Sequence, residues 1–310
     1  PLETDGINRR GGRIYNAQRA EVVKAALMAG ADRFTRNLST SADIVDYRKD
    51  EDNQNANGTD RRFGAGQVNI ENSFWILTAG EQNSAEDLQQ EEAAVGLEGF
   101  DYDPSFGGLA GSNRTASYTF TTDAEYLLLT AALVWHLDIH GGTAYTFNGT
   151  ATFHDLSLRL FDMTAGGVEM AASVSTLDNT ENLFVALEPD RRYMLQVTAG
   201  AGQADFEQDY ALAWQVAADA DGDTIPDRLD NCRRTTNPDQ ADTDGDGYGN
   251  ICDCDLNNDD CVNMLDIGLF KQSYGLGGDG LDADFNGDGA VNMLDYGILK
   301  MRYATVAPFE

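Results

Sequence analysis

The hydrophobic pattern changes period twice along the chain. From about Ala17 to Gly30 the residues read as a helix: Val22, Val23, Ala26 and Leu27 share one side, and Gly30 is placed as a C-cap. A polar stretch covers 36–62. The FGAG run that follows predicts a tight turn packed closely against a neighbour. Val68 to Ala79 reads as a second helix with Ile70, Phe74 and Leu77 facing inward. Residues 81–115 are acidic and glycine-rich and read as a linker.

From 116 to 216 the period shortens. YTFTT, YLLLTAALVWHLDI, LSLRLFDM, NLFVAL, YMLQVTA and YALAWQV are strand candidates separated by turns rich in Gly, Asn, Asp and Pro. Leu156, Leu158, Leu160 and Asp162 keep the two-residue period of a half-buried strand, as do Tyr193, Leu195 and Val197. Strands of this kind in succession predict an antiparallel β-sandwich, with Trp135 and Trp214 as core or sheet-face residues rather than ligand platforms. The three histidines of the chain, His136, His140 and His154, all fall here. On a strand His136 and His140 would stand about 13 Å apart, too far to share a metal.

Beyond residue 219 apolar residues become sparse and gather in two segments. DLNNDDCVNMLDIGLFKQSYG and DFNGDGAVNMLDYGILKMRYA begin 29 residues apart and match at 11 of 21 positions. Met264, Leu265, Leu269 and Phe270 recur as Met293, Leu294, Ile298 and Leu299. Offsets of four and five put each set on roughly one helical face, so the two units are expected to pack against each other.

Composition sharpens this division. The 310 residues carry 52 acidic and 21 basic side chains, a net charge of −31. That balance argues against binding nucleic acid or anionic lipid. No run of about 18 apolar residues is present to span a membrane. The length implies two or three domains. The sequence opens at Pro1 without an initiator methionine or signal peptide, which reads as a processed precursor or a fragment. From Asp219 onward, 20 acidic residues face 6 basic ones, and 19 of those acids are Asp. All four cysteines also lie there.

The acids are spaced, not merely abundant. Calcium loops of the EF-hand kind use positions 1, 3, 5, 7, 9 and 12, with position 7 supplying its carbonyl. Four windows fit. The first is Asp219, Asp221, Asp223, Ile225, Asp227 and Asp230. The second is Asp242, Asp244, Asp246, Tyr248, Asn250 and Asp253. The third is Asp255, Asn257, Asp259, Cys261, Asn263 and Asp266. The fourth is Asp284, Asn286, Asp288, Ala290, Asn292 and Asp295, with Gly289 at the turn. Asp260 replaces glycine at the sixth position of the third window and is expected to strain that turn or alter its geometry. Little between 219 and 253 can form a hydrophobic core, so ions and cross-links are expected to hold it. Cys232 with Cys252, and Cys254 with Cys261, is the preferred pairing among three connectivities. Closing about 20 residues contributes roughly 3 kcal/mol in the chain-entropy view. Disulfides and calcium together point outside the cytoplasm.

Resemblances follow these motifs. Residues 219–253, with DADGDTIPDRLDNC and NPDQADTDGDGYGNICD, resemble thrombospondin type 3 calcium repeats. Residues 254–303 resemble a dockerin, whose duplicated units read DxNxDGxVNxxD; this implies a cohesin or cell-surface partner. ALVWHLDI, DLSLRLFD, SVSTLDNTENLFV and YALAW in 116–216 resemble the non-catalytic sandwich that follows the catalytic domain in some secreted subtilisin-like proteases. Gly64, Ala65, Gly66, Val68 and Asn69 resemble a turn near the end of that catalytic domain, which makes 1–80 a C-terminal remnant of it.

The expected architecture is multidomain: terminal helices of an incomplete α/β subtilisin-like domain, an antiparallel β-sandwich, then calcium-binding loop and helix repeats. Subtilisin-like chemistry needs Asp, His and Ser with an oxyanion hole. No GTSMA-type serine segment is present, and HGG at 140–142 lies within the sandwich. No catalytic residue is assigned. The leading reading is the non-catalytic, calcium-bound C-terminal part of a secreted subtilisin-like serine endopeptidase, partnered by an upstream catalytic domain. The alternative is a non-enzymatic dockerin-type or calcium-dependent extracellular binding protein, and a third is a glycan-binding sandwich module.

Overall fold

The computed structural model describes residues 5–7, 13–33, 53–87, 93–122, 127–142, 149–278 and 280–305. Residues 36–52 of the expected polar stretch and 88–92 of the expected linker lie outside them. The chain divides into two compact units, Pro1–Ala217 and Ala218–Glu310. The architecture is mixed, with helices and several open sheets.

In chain order the first unit contains β1 (Asp5–Ile7), β2 (Arg13–Tyr15), α1 (Ala20–Ala29), α2 (Ile70–Ala79), β3 (Ala85–Glu86), β4 (Ala93–Ala94), β5 (Glu98–Phe106), β6 (Thr115–Thr121) and β7 (Leu127–Trp135). It continues with β8 (Asp138–His140), β9 (Thr150–Thr152), β10 (Leu156–Asp162), β11 (Val168–Ser173), β12 (Thr180–Leu187), β13 (Arg192–Ala199) and β14 (Gln208–Ala218). One sheet runs β11-β10-β13-β6-β3, with β4 added parallel to β6. The other runs β12-β7-β14-β5. Their inner faces meet where Tyr118 of β6 lies 5.6 Å from Trp214 of β14 and shares a 2.8 Å hydrogen bond with Tyr210.

β7 is buried along almost its whole length because both of its faces are covered. Ala132 and Val134 pack beneath Val22, Ala25, Ala26 and Ala29 of α1, while Leu129, Ala131, Leu133 and Trp135 on its other face are buried as well. Double coverage turns alternation into a continuous apolar run. Ala211 and Ala213 of β14 and the alanines of α1 keep the helix–sheet contact close.

Two expectations change here. Residues 81–115 are not a linker throughout: β5 is a full strand paired with β14, and Phe100, Tyr102 and Phe106 are buried. Its alternation was masked by acids. Phe100 and Tyr102 face the helices, whereas Asp101 between them points inward and accepts a 2.8 Å hydrogen bond from Tyr118. With β5 in the sheet and α1 and α2 packed over it, the structure shows no division at residue 80.

The second change concerns α2. It buries Asn72, Ser73 and Ile76, while Ile70 and Phe74 are 67% and 56% exposed. The inward side is polar because it closes the end of α1, whose last carbonyls lack helical partners. Asn72 Nδ2 donates to Gly30 O at 3.0 Å and to Asp32 at 3.2 Å, and Asn69 Nδ2 donates to Asp32 at 3.0 Å. A side chain on Gly30 would come within 2.8 Å of Ser73. The FGAG turn is tight as expected: Gly66 has φ +127°, and a Cβ there would lie 2.3 Å from Asp32 O.

The histidines are separated. His136 Nε2 faces Glu21 at 3.3 Å, His154 stacks on Phe206 at 4.4 Å, and His140 is exposed on β8.

The second unit holds α3 (Met264–Ser273) and α4 (Met293–Arg302). Its core is Cys254, Val262, Phe270, Ala283, Phe285, Val291 and Leu299. Phe270 stacks on Phe285 at 6.1 Å. The expected inward residues Met264, Leu265, Met293 and Leu294 are instead 60–63% exposed. They occupy the first turn of each helix, beside Asp266 and Asp295, which turn inward toward the loops. Valines just before the helices and Phe270 and Leu299 further along form the core instead.

Candidate metal centres

The four windows share one backbone signature. Position 4 has positive φ in each: Gly222 (75°), Gly245 (79°), Asn258 (55°) and Gly287 (66°). Position 6 does too: Thr224 (77°), Gly247 (104°), Asp260 (66°) and Gly289 (82°). Three of these eight residues are not glycine and therefore hold a conformation that ordinary side chains disfavour. This wraps the backbone around the position-1 carboxylate. Thr224 N, Gly247 N and Gly289 N donate to Asp219, Asp242 and Asp284 at 3.0, 3.2 and 2.7 Å. In the third loop Asp255 instead accepts from Cys261 N at 3.1 Å, so Asp260 does alter the turn.

In the first loop, ligand atoms of Asp219, Asp221 and Asp223 lie within 4.8 Å of one another; in the second, so do those of Asp242, Asp244 and Asp246. Asn257 and Asn286 take position 3 in the other two loops. Asp230, Asp266 and Asp295 close their loops from buried positions. At position 9 of the first loop the Asp227 carboxylate accepts from Ala220 N at 2.7 Å across the loop. Position 9 is also engaged locally, since Asn263 and Asn292 each donate to the position-7 carbonyl, Cys261 O and Ala290 O, at 2.9 Å. Asn250 binds Thr243. Ile225, Tyr248 and Ala290 each donate their N–H to the position-5 carboxylate.

These carboxyls are out of balance as they stand. Burial, with neighbouring carboxylates adding to it, pushes Asp223 up to about 6 and Asp253 up to about 7. Asp219, Asp221, Asp246 and Asp266 are raised for the same leading reason. Asp221 Oδ2, Asp230 Oδ2, Asn257 Oδ1 and Asp266 Oδ1 are buried without a hydrogen-bond partner. Buried oxygens of that kind are costly unless something satisfies them. A hard divalent cation that prefers oxygen does so and reverses the local charge. The donor set therefore fits calcium, which would be held by carboxylates at positions 1, 3, 5 and 12 and position-7 carbonyls.

One acid was not anticipated. Asp282 is pushed up to about 6 by burial and by Asp244, Asp246 and Asp242 of the second loop. It stands 29 residues after Asp253, so extending the repeat two residues upstream finds it.

Cys232 and Cys252 form a disulfide with Cα atoms 5.7 Å apart. The expected Cys254–Cys261 bond is absent: both are free thiols, Cys254 buried in the helix core and Cys261 exposed on the loop. Cys254 faces Val262 and Phe285, whereas Cys261 serves the loop through its backbone.

Residues 253–302 match the dockerin type I domain family. No curated protein matches the chain. Among solved structures, the pre-peptidase C-terminal domain of collagenase from Bacillus anthracis is 16% identical, with a TM-score of 0.30, over 42% of this chain and 100% of that one. A type II cohesin–dockerin structure from Bacteroides cellolosolvens is 36% identical, with a TM-score of 0.16, over 17% of this chain and 85% of that one. A periplasmic inhibitor of g-type lysozyme from Aeromonas hydrophila is 13% identical, with a TM-score of 0.25, over 44% of this chain and 99% of that one. Among the described residues no helix is long and apolar enough to cross a membrane. The C-terminal region is thus a dockerin-like pair of loop–helix units, preceded by two further acidic loops able to coordinate a metal ion.

Proposed function

We propose that this chain is a non-enzymatic, calcium-stabilised binding or anchoring protein of the extracellular space or cell surface. Calcium occupies the four loops, and the dockerin-like unit engages a cohesin-like or other surface protein. The observation that carries this reading is the dockerin match over 253–302 on loops that repeat the same left-handed residues. Exposed Met264–Leu265 and Met293–Leu294, one pair per repeat, support a protein partner, because paired apolar side chains on a helix surface favour association. The disulfide and the calcium loops support an oxidising, calcium-rich location.

Two measurements test it. Pull-down against a panel of cohesin domains should succeed in calcium and fail after Asp284→Ala with Asp295→Ala. No capture by any cohesin in calcium removes the partner. Chelation should loosen 219–303 while the three tryptophans, all in the first unit, report an unchanged fold. Calorimetry without calcium uptake removes the metal.

A second reading is the accessory end of a secreted subtilisin-like endopeptidase. It is favoured by the FGAGQVN segment, whose Gly66 is pressed against Asp32 and whose Asn69 caps α2. Coding sequence upstream that lacks Asp, His and Ser motifs rejects it.

A further inference from the structure

We infer that Gln240, which lies outside every loop, is the positioning residue for Asp230 of the first loop, and that it links calcium uptake there to the Cys232–Cys252 disulfide. The inference rests on the reading that the first loop binds calcium.

Asp230 is the loop-closing carboxylate and is only 7% exposed. Its Oδ2 is buried without a partner, and its charge bears on Asp221 and Asp223, so it is aimed into the cluster. Its other oxygen is anchored from two directions: Oδ1 accepts from Cys232 N and from Gln240 Nε2, each at 2.8 Å. Gln240 spends both ends of its amide on this corner, because its Oε1 accepts from Asn231 N at 2.9 Å. Its own backbone is left-handed, with φ 51°, a conformation costly for a non-glycine residue and held by the surrounding hydrogen bonds. The same segment reaches a second ligand, since Asn237 N donates to Asp223 at 2.9 Å.

The closing carboxylates of the other loops are held differently, although Asp244 within the second loop also accepts from a distant side chain, Asn258 Nδ2, at 2.9 Å. Asp253, Asp266 and Asp295 accept from backbone groups, Asp255 N, Asn263 N and Asn292 N, with Asn286 N of its own loop as a second donor to Asp295 at 3.2 Å. Among the described closing carboxylates, Asp230 alone takes a side-chain donor from outside its loop, and that donor belongs to residues 232–240, a stretch inside the ring closed by the disulfide. Gly249, near the far end of that ring, is packed within 2.6 Å of Cys232 Sγ and Asn231 Oδ1 as judged from an added Cβ, so the ring cannot shift without disturbing Asn231. Opening the disulfide frees the anchor of Gln240 and Cys232, and with it Asp230. By linkage, calcium in the first loop must in turn favour the closed disulfide.

The test uses the full chain. Calcium calorimetry on Asp230→Asn identifies the uptake that belongs to the first loop. Gln240→Leu should weaken that same uptake by about 10- to 100-fold and leave the remainder unchanged. The double variant Cys232→Ser with Cys252→Ser should do the same, and combining it with Gln240→Leu should add little. A second readout is native reduction for timed intervals followed by alkylation in denaturant, in which reacted cysteines rise from two to four. Calcium should slow that rise in the wild type and not in Gln240→Leu. Unchanged uptake in both variants, uniform weakening of all uptake, or full calcium protection in Gln240→Leu overturns the inference while leaving the calcium reading intact. No uptake by the wild type overturns both.

Discussion

Asn263 N donates to Asp266 Oδ2 at 2.7 Å, and the pair closes a reciprocal cap at the start of α3, with Leu265 N donating back to Asn263 Oδ1 at 2.8 Å. Asn292 and Asp295 repeat it at α4 with distances of 2.8 Å for both bonds. Each Asp is therefore a helix cap and a loop-closing carboxylate at once, and the two roles can be separated. An amide oxygen can still accept from Asn292 N but carries no charge. Asp295→Asn should hold the chelated melting temperature near wild type and lose the calcium-dependent increase. Asp295→Ala should lose the increase and a further ~1 kcal/mol in chelator, the usual cost of a missing cap. Far-UV circular dichroism melts with and without calcium measure both.

The loops were readable from sequence because every ligand lies within twelve residues and each position has its own residue preference. The strands with free alternation were equally readable. What escaped depended on distant partners. Asp101 broke the alternation of β5, and only Tyr118 from another sheet explains its place inside. Asn72 and Ser73 turned the face of α2 around because Gly30 and Asp32, some forty residues away, need donors. The Cys254–Cys261 pairing failed for a similar reason: proximity in sequence does not say which way each side chain points.

The thiols give a direct count. Under native conditions an alkylating reagent should modify Cys261, which is exposed, and spare Cys254, which is buried with its thiol pushed up to about 12 by burial and by Asp253. Reactivity follows the thiolate and its access. Denaturation without reductant should raise the count to two, and reduction to four. Peptide mass mapping checks the sites. Protection of Cys261 together with a Cys254–Cys261 cross-linked peptide contradicts the structure.

The first unit should become less stable as pH rises from about 4 to 8. Asp101 is pushed from 3.8 up to about 7, chiefly by burial and further by Asp103 and Glu81, against a lowering hydrogen bond from Tyr118. Glu181 is pushed from 4.5 up to about 8, again chiefly by burial. Both are acids whose folded-state pKa exceeds the unfolded one. The fold favours their neutral forms, so the contribution is complete below the unfolded pKa and lost as pH rises through the folded one. A tenfold difference in proton affinity between the folded and unfolded chain is worth about 1.4 kcal/mol. Tryptophan-monitored denaturation across this range should show the fall, and Asp101→Asn should flatten it between about 4 and 7. A slope unchanged in that variant rules out Asp101 as a source.

The orientation of α2 yields the sharpest contrast between pattern and structure. By hydrophobic period alone Ile70 and Phe74 are core and Asn72 is surface. In the fold Ile76 is fully buried against α1, Phe100 and Tyr102, while Ile70 and Phe74 face outward. Ile76→Ala should therefore cost about 2–5 kcal/mol, the range for removing a buried aliphatic side chain. Ile70→Ser and Phe74→Ser should change stability by no more than about 0.5 kcal/mol, as surface substitutions do. Asn72→Leu is the decisive variant. It improves the sequence pattern yet removes the donor to the buried Gly30 O and one of the donors to Asp32, which keeps Asn69. It should destabilise by about 1–3 kcal/mol. Denaturant midpoints followed by tryptophan fluorescence rank all four, and a stabilising Asn72→Leu with a costly Phe74→Ser would mean that α2 is turned the other way.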